Sequence, residues 1–384
     1  MQADLGLLGG GQLARMTIQA AQQMGLQAIS LDPAADTPSS KIAPFIQGKL
    51  SDPEAIAQLL KACDHVTLEN EFIPAKAIEE ALRIARKPES MLTPNLQCLA
   101  TIQDKLKQRE TLTKIGVPTP QAIALTNMGE EAEDRFGFPM VLKARFGGYD
   151  GKGTIVAHSR DDLMKAEPKW GAGGWMAEEF VPFRRELAVM VARTEECEIE
   201  FETVETQQVN CVCDVTYPAA LWNAETSTDG VPMKAVQAMN GFGLFGVELF
   251  ELESGEVLVN EIAPRPHNTG HYSLNWGEIS QFEMLVRIAV GLDFPVPTDG
   301  ILKGLPVYMV NLFGVEGAKD IRGAMKEALA FEPSARIHWY DKTDARPGRK
   351  LGHINLISWK EEAPHTVLPH LLRTRDAFYE GWCR

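Results

Sequence analysis

A glycine-rich turn near the start of the chain constrains the fold more than any other feature. The stretch LGLLGGGQLARM, residues 5–16, runs from a strand-like segment into a helical one, with Gly9, Gly11 and Ala14 spaced as in a dinucleotide-binding turn. Asp32 ends the next apolar run, LQAISLD, where that motif carries an acid for a ribose hydroxyl. The pattern predicts a parallel α/β domain, and on its own it also fits a dehydrogenase.

Length and charge exclude several classes of protein. A chain of 384 residues has room for two or three domains. No apolar run approaches the roughly 20 residues that cross a bilayer, and no basic segment with a cleavage site opens the chain, so we expect neither membrane insertion nor secretion. The net charge of -14 argues against broad binding to nucleic acids or anionic membranes.

The six cysteines are scattered and form no C-x-x-C motif. Cys211 and Cys213 could ligate a metal or form a redox couple, but no second pair or nearby histidine completes such a site. We therefore expect free thiols in a reducing cytoplasm.

A second glycine-rich stretch, RFGGYDGKGTIV, lies between two strand-like runs. Glycines let backbone N–H groups approach phosphate oxygens, and a loop between two strands is typical of a mobile flap over a nucleotide. Lys143 ends the first run and could hold an ammonium group over phosphates. The alternative is a flexible hairpin that binds nothing.

Two glutamates in a predicted hairpin suggest a metal site. A turn centred on Ser254–Gly255 in GVELFELESGEVLVNEIAP places Glu248 directly opposite Glu261. Opposed like charges are unfavourable unless a cation compensates them, and Mg²⁺ binds one or two carboxylates together with nucleotide phosphates. The alternative is a solvated acidic hairpin. A cation site, a lysine and a flap favour ATP chemistry over hydride transfer, because the dehydrogenase interpretation accounts only for the first 35 residues.

Motifs along nearly the whole chain carry a family resemblance. They are GGGQLARM, GGYDGKG, NEIAPRPHNTGHYS, ISQFE and HWYDKTDARPGRKLGHIN, in that order. With them the chain resembles the ATP-grasp enzymes, and among these the N5-carboxyaminoimidazole ribonucleotide synthetase family. The resemblance implies ATP- and bicarbonate-dependent carboxylation of 5-aminoimidazole ribonucleotide through carboxyphosphate, with Mg²⁺ or Mn²⁺ as cofactor, in a cytoplasmic homodimer. Another ATP-grasp carboxylate-amine ligase or transformylase, or a non-catalytic nucleotide sensor, is the alternative.

The implied fold combines α/β and α+β parts. We expect a Rossmann-like pre-ATP-grasp domain over residues 1–95, an ATP-grasp domain over 96–296 with a lid at about 118–185, and a small β-rich C-terminal domain over 297–384. Local patterns predict one helix in TPNLQCLATIQDKLKQRETLTKIG, residues 93–116, and a strand pair in WMAEEFVPFRRELAVMVAR, residues 175–193.

The resemblance also assigns site residues. Glu248 and Glu261 would hold the metal. Glu205 is a weak match, because the segment ETVETQQ keeps the family pattern poorly. The expected ATP contacts are Lys105, Lys143, Gly148, Tyr149, Asp150, Gly151, Lys152, Gly153, Thr154, Glu178, Glu179, Phe180, Val181, Glu186, Glu205, Asn260 and Glu261.

Substrate contacts are expected from three places. These are the flap, the segment just after Glu261, and a basic loop, DKTDARPGRK, residues 341–350. Asp150 would accept the amine proton, Arg265 would bind bicarbonate or carboxyphosphate, and His267 would lie beside them. Gln12 and Glu71 are further candidates, and the basic loop could instead be only solvated. The expected contacts are Tyr149, Asp150, Lys152, Arg265, His267, Lys342, Arg349 and Lys350.

Overall fold

The computed structural model describes residues 2–126, 129–148, 153–170, 174–221, 227–317 and 320–383. Within these ranges the chain forms three β-sheets with helices packed against them. No helix among the described residues is long and apolar enough to cross a membrane.

The first sheet confirms the Rossmann-like fold predicted from the glycine turn. Its strands are β1 (Ala3–Leu8), β2 (Ala28–Asp32), β3 (Phe45–Gln47), β4 (Cys63–Leu68) and β5 (Leu92–Thr93), and its helices are α1 (Gln12–Gln23), α2 (Pro53–Ala62) and α3 (Ala75–Ala85). All the strand pairs are parallel, in the order β3-β2-β1-β4-β5. Their apolar side chains form cores on both faces.

The glycine turn joins β1 to α1. It is held by Asp32, the acid that binds a ribose hydroxyl in a dinucleotide-binding motif. The backbone N–H of Gly10 donates to Asp32 Oδ2 at 2.9 Å. Gly9 has a φ of 107°, which favours glycine. Asp32 therefore has a structural partner within its own domain.

The single helix predicted after β5 is two helices, α4 (Leu96–Ile102) and α5 (Lys105–Lys114). The prediction was wrong because Asp104 caps α5, its Oδ1 accepting from the backbone N–H of Leu106 at 3.2 Å. A capping aspartate has non-helical dihedrals and so ends the preceding helix. The break makes Lys105 the first residue of α5.

The second sheet is a small antiparallel lid. Its strands are β6 (Ala122–Ala124), β7 (Met140–Ala144), β8 (Thr154–Ala157) and β9 (Trp175–Glu179), in the order β6-β9-β7-β8, with helices α6 (Glu130–Phe136) and α7 (Arg160–Trp170). The hairpin predicted around the second glycine stretch is confirmed, since β7 pairs with β8 and Lys143 lies opposite Thr154.

The third sheet contains the remaining strands of the described chain. They are β10 (Phe183–Arg193), β11 (Glu198–Phe201), β12 (Val204–Val209), β13 (Val212–Pro218), β14 (Gly243–Leu252), β15 (Val257–Ala263), β16 (Ile301–Leu302), β17 (Val307–Phe313), β18 (Arg336–Trp339) and β19 (Lys350–Ile357). The helices packed around them are α8 (Val231–Ala238), α9 (Gln281–Val290), α10 (Ile321–Phe331) and α11 (Pro364–Cys383).

The long sheet has the order β15-β14-β10-β12-β13-β17-β19-β18, with β11 on β10 and β16 on β11. Strands on both sides of the predicted domain boundary at 296–297 therefore share one sheet. The strands predicted as a pair within 175–193 do not pair with each other. β9 belongs to the lid and β10 to the long sheet, so their connector joins two sheets.

Gly6 in β1 offers a test of core packing. A Cβ at this position would come within 2.6 Å of Cys63 Sγ and 3.2 Å of Val66 Cγ2. We expect Gly6→Ala to lower the free energy of unfolding by about 1–3 kcal/mol, because the added methyl overpacks the core. Adding Cys63→Ala opens that space and should recover much of the loss. Urea unfolding measures both variants, and purely additive effects would contradict the steric explanation.

Candidate active site

Two glutamates face each other across the hairpin formed by β14 and β15. The pairing register places Glu248 directly opposite Glu261, as the sequence predicts. One residue further along, the register shifts, and Asn260 becomes the extra residue of a β-bulge. Directly opposed residues lie on one face of the sheet, so both carboxylates belong to the same site.

The bulge is essential to this arrangement, because the turn differs from the predicted one. The backbone N–H of Leu252 donates to the carbonyl of Glu256 at 2.9 Å, so the turn is not symmetric about Ser254–Gly255. From the turn alone, the two glutamates would be out of register by one residue. The extra residue at Asn260 brings them opposite each other.

The carboxyl groups at this site differ in pKa. Burial raises the pKa of Glu248 to about 7, and the neighbouring carboxylates of Glu261 and Glu186 add to the shift. Burial also raises the pKa of Glu186 to about 7. Burial opposes the ionisation of Glu261 as well, but Lys105 together with Lys143 and Arg109 lowers the pKa of Glu261.

The donor set suits a hard divalent cation that shares its coordination with a ligand. Glu248 and Glu261 offer only oxygen atoms, and burial and the neighbouring carboxylates raise the pKa of Glu248 to about 7 although Lys105 and Lys350 oppose the shift. Among the described residues, no group of three or more His, Cys, Asp or Glu side chains could hold a metal. A cation here would therefore need oxygens from a bound molecule such as phosphates.

Two lysines approach the carboxylates from separate elements. Lys105, at the start of α5, forms an ion pair with Glu261. The helix start is fixed because Asp104 pairs with Arg145 through Arg145 Nε at 2.9 Å. Lys143, on β7 of the lid, donates to Asn260 Oδ1 at 3.2 Å. The structure thus brings Lys105, Lys143, Asn260 and Glu261 together, as the sequence predicts.

Lys143 is also part of a buried ion-pair cluster that sequence reasoning missed. Its Nζ lies 2.7 Å from Glu178 Oε2, and Arg109 Nε lies 2.6 Å from Glu178 Oε1. Burial lowers the pKa of Lys143. Burial opposes the ionisation of Glu178, but Arg109 and Lys143 lower its pKa to about 2. Both side-chain oxygens of Glu178 therefore bind cations of its own chain.

The connector between β9 and β10 presents an apolar surface beside these charges. Phe180 is 42% exposed, and Phe183 is 43% exposed and stacks on Phe250 with ring centroids 4.5 Å apart. Phe250 lies opposite Glu186 in the sheet register, so it shares the face of the acidic site. Val181 lies in the same connector. The stacked pair was not predicted, because its members lie on different strands.

The predicted contacts Arg265 and His267, which follow β15, lie close to the opposed glutamates. Arg265 binds Glu71 of the first domain with two hydrogen bonds, at 2.5 and 2.9 Å. His267 Nε2 lies 3.7 Å from Glu248 Oε1, while its Nδ1 is 2.9 Å from Thr269 Oγ1. Arg265 and Glu71, both named from the sequence, therefore contact each other directly.

The basic loop approaches the glycine turn of the first domain through Glu69, which sequence reasoning missed. Glu69 follows β4 and accepts a hydrogen bond from the backbone N–H of Gly11. Burial raises the pKa of Glu69, and positive charge from Lys342 and Arg265 opposes that shift. A glutamate that follows a parallel strand could have indicated this position, but only Glu71 of the same LENEF segment was predicted to contact the substrate. Gln12 begins α1 beside this turn.

Lys342 and Arg349 of the basic loop also have partners within the loop. Lys342 Nζ donates to the carbonyl of Lys350 at 2.8 Å. Arg349 binds Asp344, with Nη1 3.0 Å from Oδ2. Lys350 is close enough to Glu248 to lower its pKa. The structure therefore brings Lys342 and Lys350 towards the site and pairs Arg349 with an acid.

The structure does not bring Glu205 to the site. Glu205 lies opposite Leu187, whereas the adjacent Glu186 lies opposite Thr206, so the two glutamates occupy opposite faces of the sheet. Glu205 Oε2 is instead 3.0 Å from Arg185 Nη1, in a buried network. The predicted nucleotide contact of Glu205 therefore conflicts with the alternation of side chains along a strand.

The flap borders a cavity of about 350 Å³ beside Glu261. Its lining includes Glu71 of the first domain, Lys105, and Phe146 and Gly148 of the flap. Gly153 precedes the returning strand β8, which begins at Thr154, and Glu179 Oε1 accepts from the backbone N–H of Gln121 at 2.8 Å. The predicted contacts Tyr149, Asp150, Gly151 and Lys152 lie outside the described residues.

Comparisons with known proteins agree with this geometry. The chain matches the ribonucleotide synthetase preATP-grasp domain at residues 1–103, the ATP-grasp domain at 110–282 and the phosphoribosylaminoimidazole carboxylase C-terminal domain at 307–364. The N5-carboxyaminoimidazole ribonucleotide synthase of Synechococcus elongatus is 40% identical over 358 residues, which cover 92% of this chain and 89% of that protein.

Two crystal structures of Aspergillus clavatus proteins have the same fold. Carboxyaminoimidazole ribonucleotide synthase complexed with ATP has a TM-score of 0.86 and 32% identity, and the match covers 99% of both chains. N5-carboxyaminoimidazole synthase in complex with ADP and 5-aminoimidazole ribonucleotide also has a TM-score of 0.86 and 32% identity, over 98% of this chain and 99% of that one.

The lid, the opposed glutamates and the domain matches define an ATP-grasp ligase. Within that class, the chain belongs to the N5-carboxyaminoimidazole ribonucleotide synthase family of purine biosynthesis. The resemblance inferred from the sequence motifs is thereby confirmed.

The high pKa of Glu248 predicts a pH-dependent gain in stability for Glu248→Gln. Between the ordinary value of 4.5 and about 7, the folded protein keeps a proton that the unfolded chain releases, so stability falls as the pH rises through this range. In chelator at about pH 8, we expect the variant to be more stable than the parent by roughly 1–3 kcal/mol, with little difference at about pH 4.

Urea unfolding across the pH range measures this effect. Glu253→Gln, in the exposed turn of the same hairpin, is the matched control and should leave the pH profile of stability unchanged. A Glu248→Gln curve parallel to that of the parent would contradict the shift.

Proposed function

We propose that this protein carboxylates 5-aminoimidazole ribonucleotide with ATP and bicarbonate to give N5-carboxyaminoimidazole ribonucleotide, in de novo purine biosynthesis. The observation that carries the proposal is the opposed pair Glu248 and Glu261, with Lys105, Lys143 and Arg265 brought around it from separate parts of the chain. The Aspergillus clavatus complexes with ATP, and with ADP and 5-aminoimidazole ribonucleotide, support the same substrates.

Glu248 and Glu261 would hold Mg²⁺, or Mn²⁺ in its place. When bound, the cation neutralises charge on the β- and γ-phosphates and so favours attack at the γ-phosphorus. In the structure, Lys105 occupies the position of counter-ion to Glu261. Ligand oxygens would complete the coordination that two carboxylates leave open.

Lys105 and Lys143 would bind the phosphates, together with Asn260 and the flap backbone at Gly148, Gly153 and Thr154. The exposed ring of Phe180 and the stacked pair of Phe183 and Phe250 offer an apolar surface for a purine. Backbone groups of residues 178–181 would bind its polar edge, and Glu186 the ribose hydroxyls.

Bicarbonate would bind near Arg265 and His267. Arg265 suits an anion with two oxygens, because a guanidinium binds such groups with two parallel hydrogen bonds, as it binds Glu71 in this structure. Lys342, Arg349 and Lys350 would bind the phosphate of the ribonucleotide. Tyr149, Asp150 and Lys152 of the flap remain predicted contacts of the aminoimidazole.

The chemistry follows from the need to activate bicarbonate, which is a poor electrophile. A bicarbonate oxygen attacks the γ-phosphorus and the bond to ADP breaks, which yields carboxyphosphate. The exocyclic amine of the substrate then attacks the carboxyl carbon, or CO₂ released from it, and inorganic phosphate leaves. Asp150 is the predicted acceptor of the amine proton. Closure of the flap would exclude water, which otherwise hydrolyses carboxyphosphate.

We further propose that the protein acts as a homodimer in the cytoplasm. The family resemblance supports the dimer, and the six free thiols support a reducing compartment. Its partners would then be small molecules, without a nucleic acid or a membrane.

The direct test is ADP release with 5-aminoimidazole ribonucleotide, with and without bicarbonate, together with incorporation of labelled bicarbonate into an acid-labile product. We expect ADP release and incorporation to require both substrates. Glu261→Gln should lower the Mg²⁺-dependent turnover by about 100-fold or more with the fold intact, because one of two metal ligands loses its charge. Glu253→Gln is the control with near-normal turnover. Folded protein that turns over ATP with neither substrate would overturn the proposal.

The helix break at Asp104 predicts a separate effect on nucleotide binding. Asp104→Ala removes the cap of α5 and should cost about 1 kcal/mol of stability, while releasing Lys105 from its fixed position and raising the KM for ATP roughly 10-fold. Asp320→Ala removes the equivalent cap of α10, where Oδ1 accepts from Arg322 N at 3.0 Å. The control should keep its KM for ATP, whereas Asp104→Ala also loses the ion pair with Arg145. Equal KM values for the two variants would refute the role of the break.

A further inference from the structure

The side-chain amide of Gln281 forms hydrogen bonds with both the backbone N–H and the backbone carbonyl of His267. His267 N donates to Gln281 Oε1 at 2.8 Å, and Gln281 Nε2 donates to the carbonyl of His267 at 2.9 Å. Gln281 is completely buried at the first position of α9. Because the oxygen faces an N–H and the nitrogen faces a carbonyl, the orientation of the amide is determined by its partners.

The second N–H of the same amide binds a buried histidine. Gln281 Nε2 lies 2.9 Å from His271 Nδ1. An amide nitrogen only donates, so His271 Nδ1 accepts and the ring carries its proton on Nε2. Burial lowers the pKa of His271 well below its usual value, which keeps this ring neutral. All the hydrogen-bonding groups of the Gln281 amide therefore bind the segment from 267 to 271.

The rest of that segment is attached to the start of α9. The backbone N–H of Gln281 donates to Ser273 Oγ at 2.9 Å, and Ser273 Oγ donates to the carbonyl of Gly270 at 2.7 Å. A Cβ at Gly270 would lie 2.7 Å from Gln281 Oε1, so a larger residue there would displace the amide. The segment is thus folded around one carboxamide group.

Asn268, the neighbour of His267, is held in a comparable way. Asn268 Nδ2 donates to Asn311 Oδ1 at 3.0 Å, and Asn311 Nδ2 donates back to Asn268 Oδ1 at 2.7 Å. Arg265 is bound by Glu71. Each of these three residues therefore has a separate anchor, and Gln281 binds His267 through its main chain while the ring bonds to Thr269 Oγ1.

We infer that Gln281 is a positioning residue for carboxylation, which sets the direction of the His267 ring towards the acidic site. The inference rests on the proposed role of His267 in binding bicarbonate. With the main chain fixed by Gln281, Thr269 Oγ1 orients the ring from Nδ1, and Nε2 then lies 3.7 Å from Glu248. Gln281 itself contacts no reacting group.

Gln281→Met tests this role, because methionine has a similar length and fills the space but forms none of the three amide contacts. We expect the KM for bicarbonate to rise about 10- to 100-fold while the KM for ATP stays within about twofold, since Lys105 and Lys143 lie on other elements. Gln281→Glu keeps an acceptor for His267 N but lacks the donor in its ionised form, so it should give a smaller rise. Gln281→Glu also tests the inference if Gln281→Met fails to fold.

Thr374→Val is the matched control. Thr374 is completely buried in α11, and its hydroxyl bonds only to the carbonyl of His370 among the contacts described for it. This variant also loses a buried hydrogen bond, and we expect it to keep both KM values. His267→Ala is the reference for direct loss of the ring and should raise the KM for bicarbonate at least as much as Gln281→Met.

The outcomes separate the two proposals. If His267→Ala raises the KM for bicarbonate and both Gln281 variants behave like Thr374→Val, the positioning role is wrong and the proposed function stands. If both KM values rise together in the Gln281 variants, the effect is only structural and the inference is overturned. If His267→Ala leaves the KM for bicarbonate unchanged in an active enzyme, the role of His267 fails, and the inference fails with it. Absence of carboxylation by the parent protein overturns the proposed function itself.

Discussion

The repulsion between Glu248 and Glu261 is the constraint on which the rest of the site depends. The hairpin register makes the two carboxylates face each other, and burial makes their simultaneous ionisation unfavourable. Cationic groups are therefore arranged around them. Lys105 binds one carboxylate directly, and Lys143 reaches the bulged residue beside it. The site therefore combines buried carboxylates with lysines drawn from separate elements.

Three parts of the site depend on an irregularity in the secondary structure. The bulge at Asn260 corrects the register of a hairpin whose turn is off by one residue. The aspartate before α5 interrupts a helix, so that Lys105 lies at a helix start. The connector after β9 leaves one sheet for another and carries Phe180 between them. These local departures from regular geometry bring together side chains that lie far apart in the sequence.

The sequence was sufficient where short-range patterns determine the structure. Glycine spacing predicted the β1–α1 turn, and the strand-like runs on either side of the second glycine stretch predicted the flap hairpin. The predicted pairing of Glu248 with Glu261 is observed only because the unpredicted bulge at Asn260 compensates for the different turn. The sequence was insufficient where contacts between distant segments determine which side chains meet. The face occupied by Glu205 depends on which strand lies next to β12, and the cluster of Arg109 with Glu178 joins a helix to the lid. The helix break was missed because no glycine or proline lies between Asn95 and Ile115, although the capping Asp104 is present in the sequence.

The carboxylate of Glu69 explains why a turn with the spacing of a dinucleotide motif serves another purpose here. Such turns bind pyrophosphate through backbone N–H groups at the start of a helix. In this chain the N–H of Gly11 is already bonded to Glu69, and a Cβ at Gly11 would lie 2.0 Å from Glu69 Oε1. The Glu69 side chain thus takes the place of a phosphate oxygen at the start of α1, and a pyrophosphate would have to displace it to bind the N–H of Gly11.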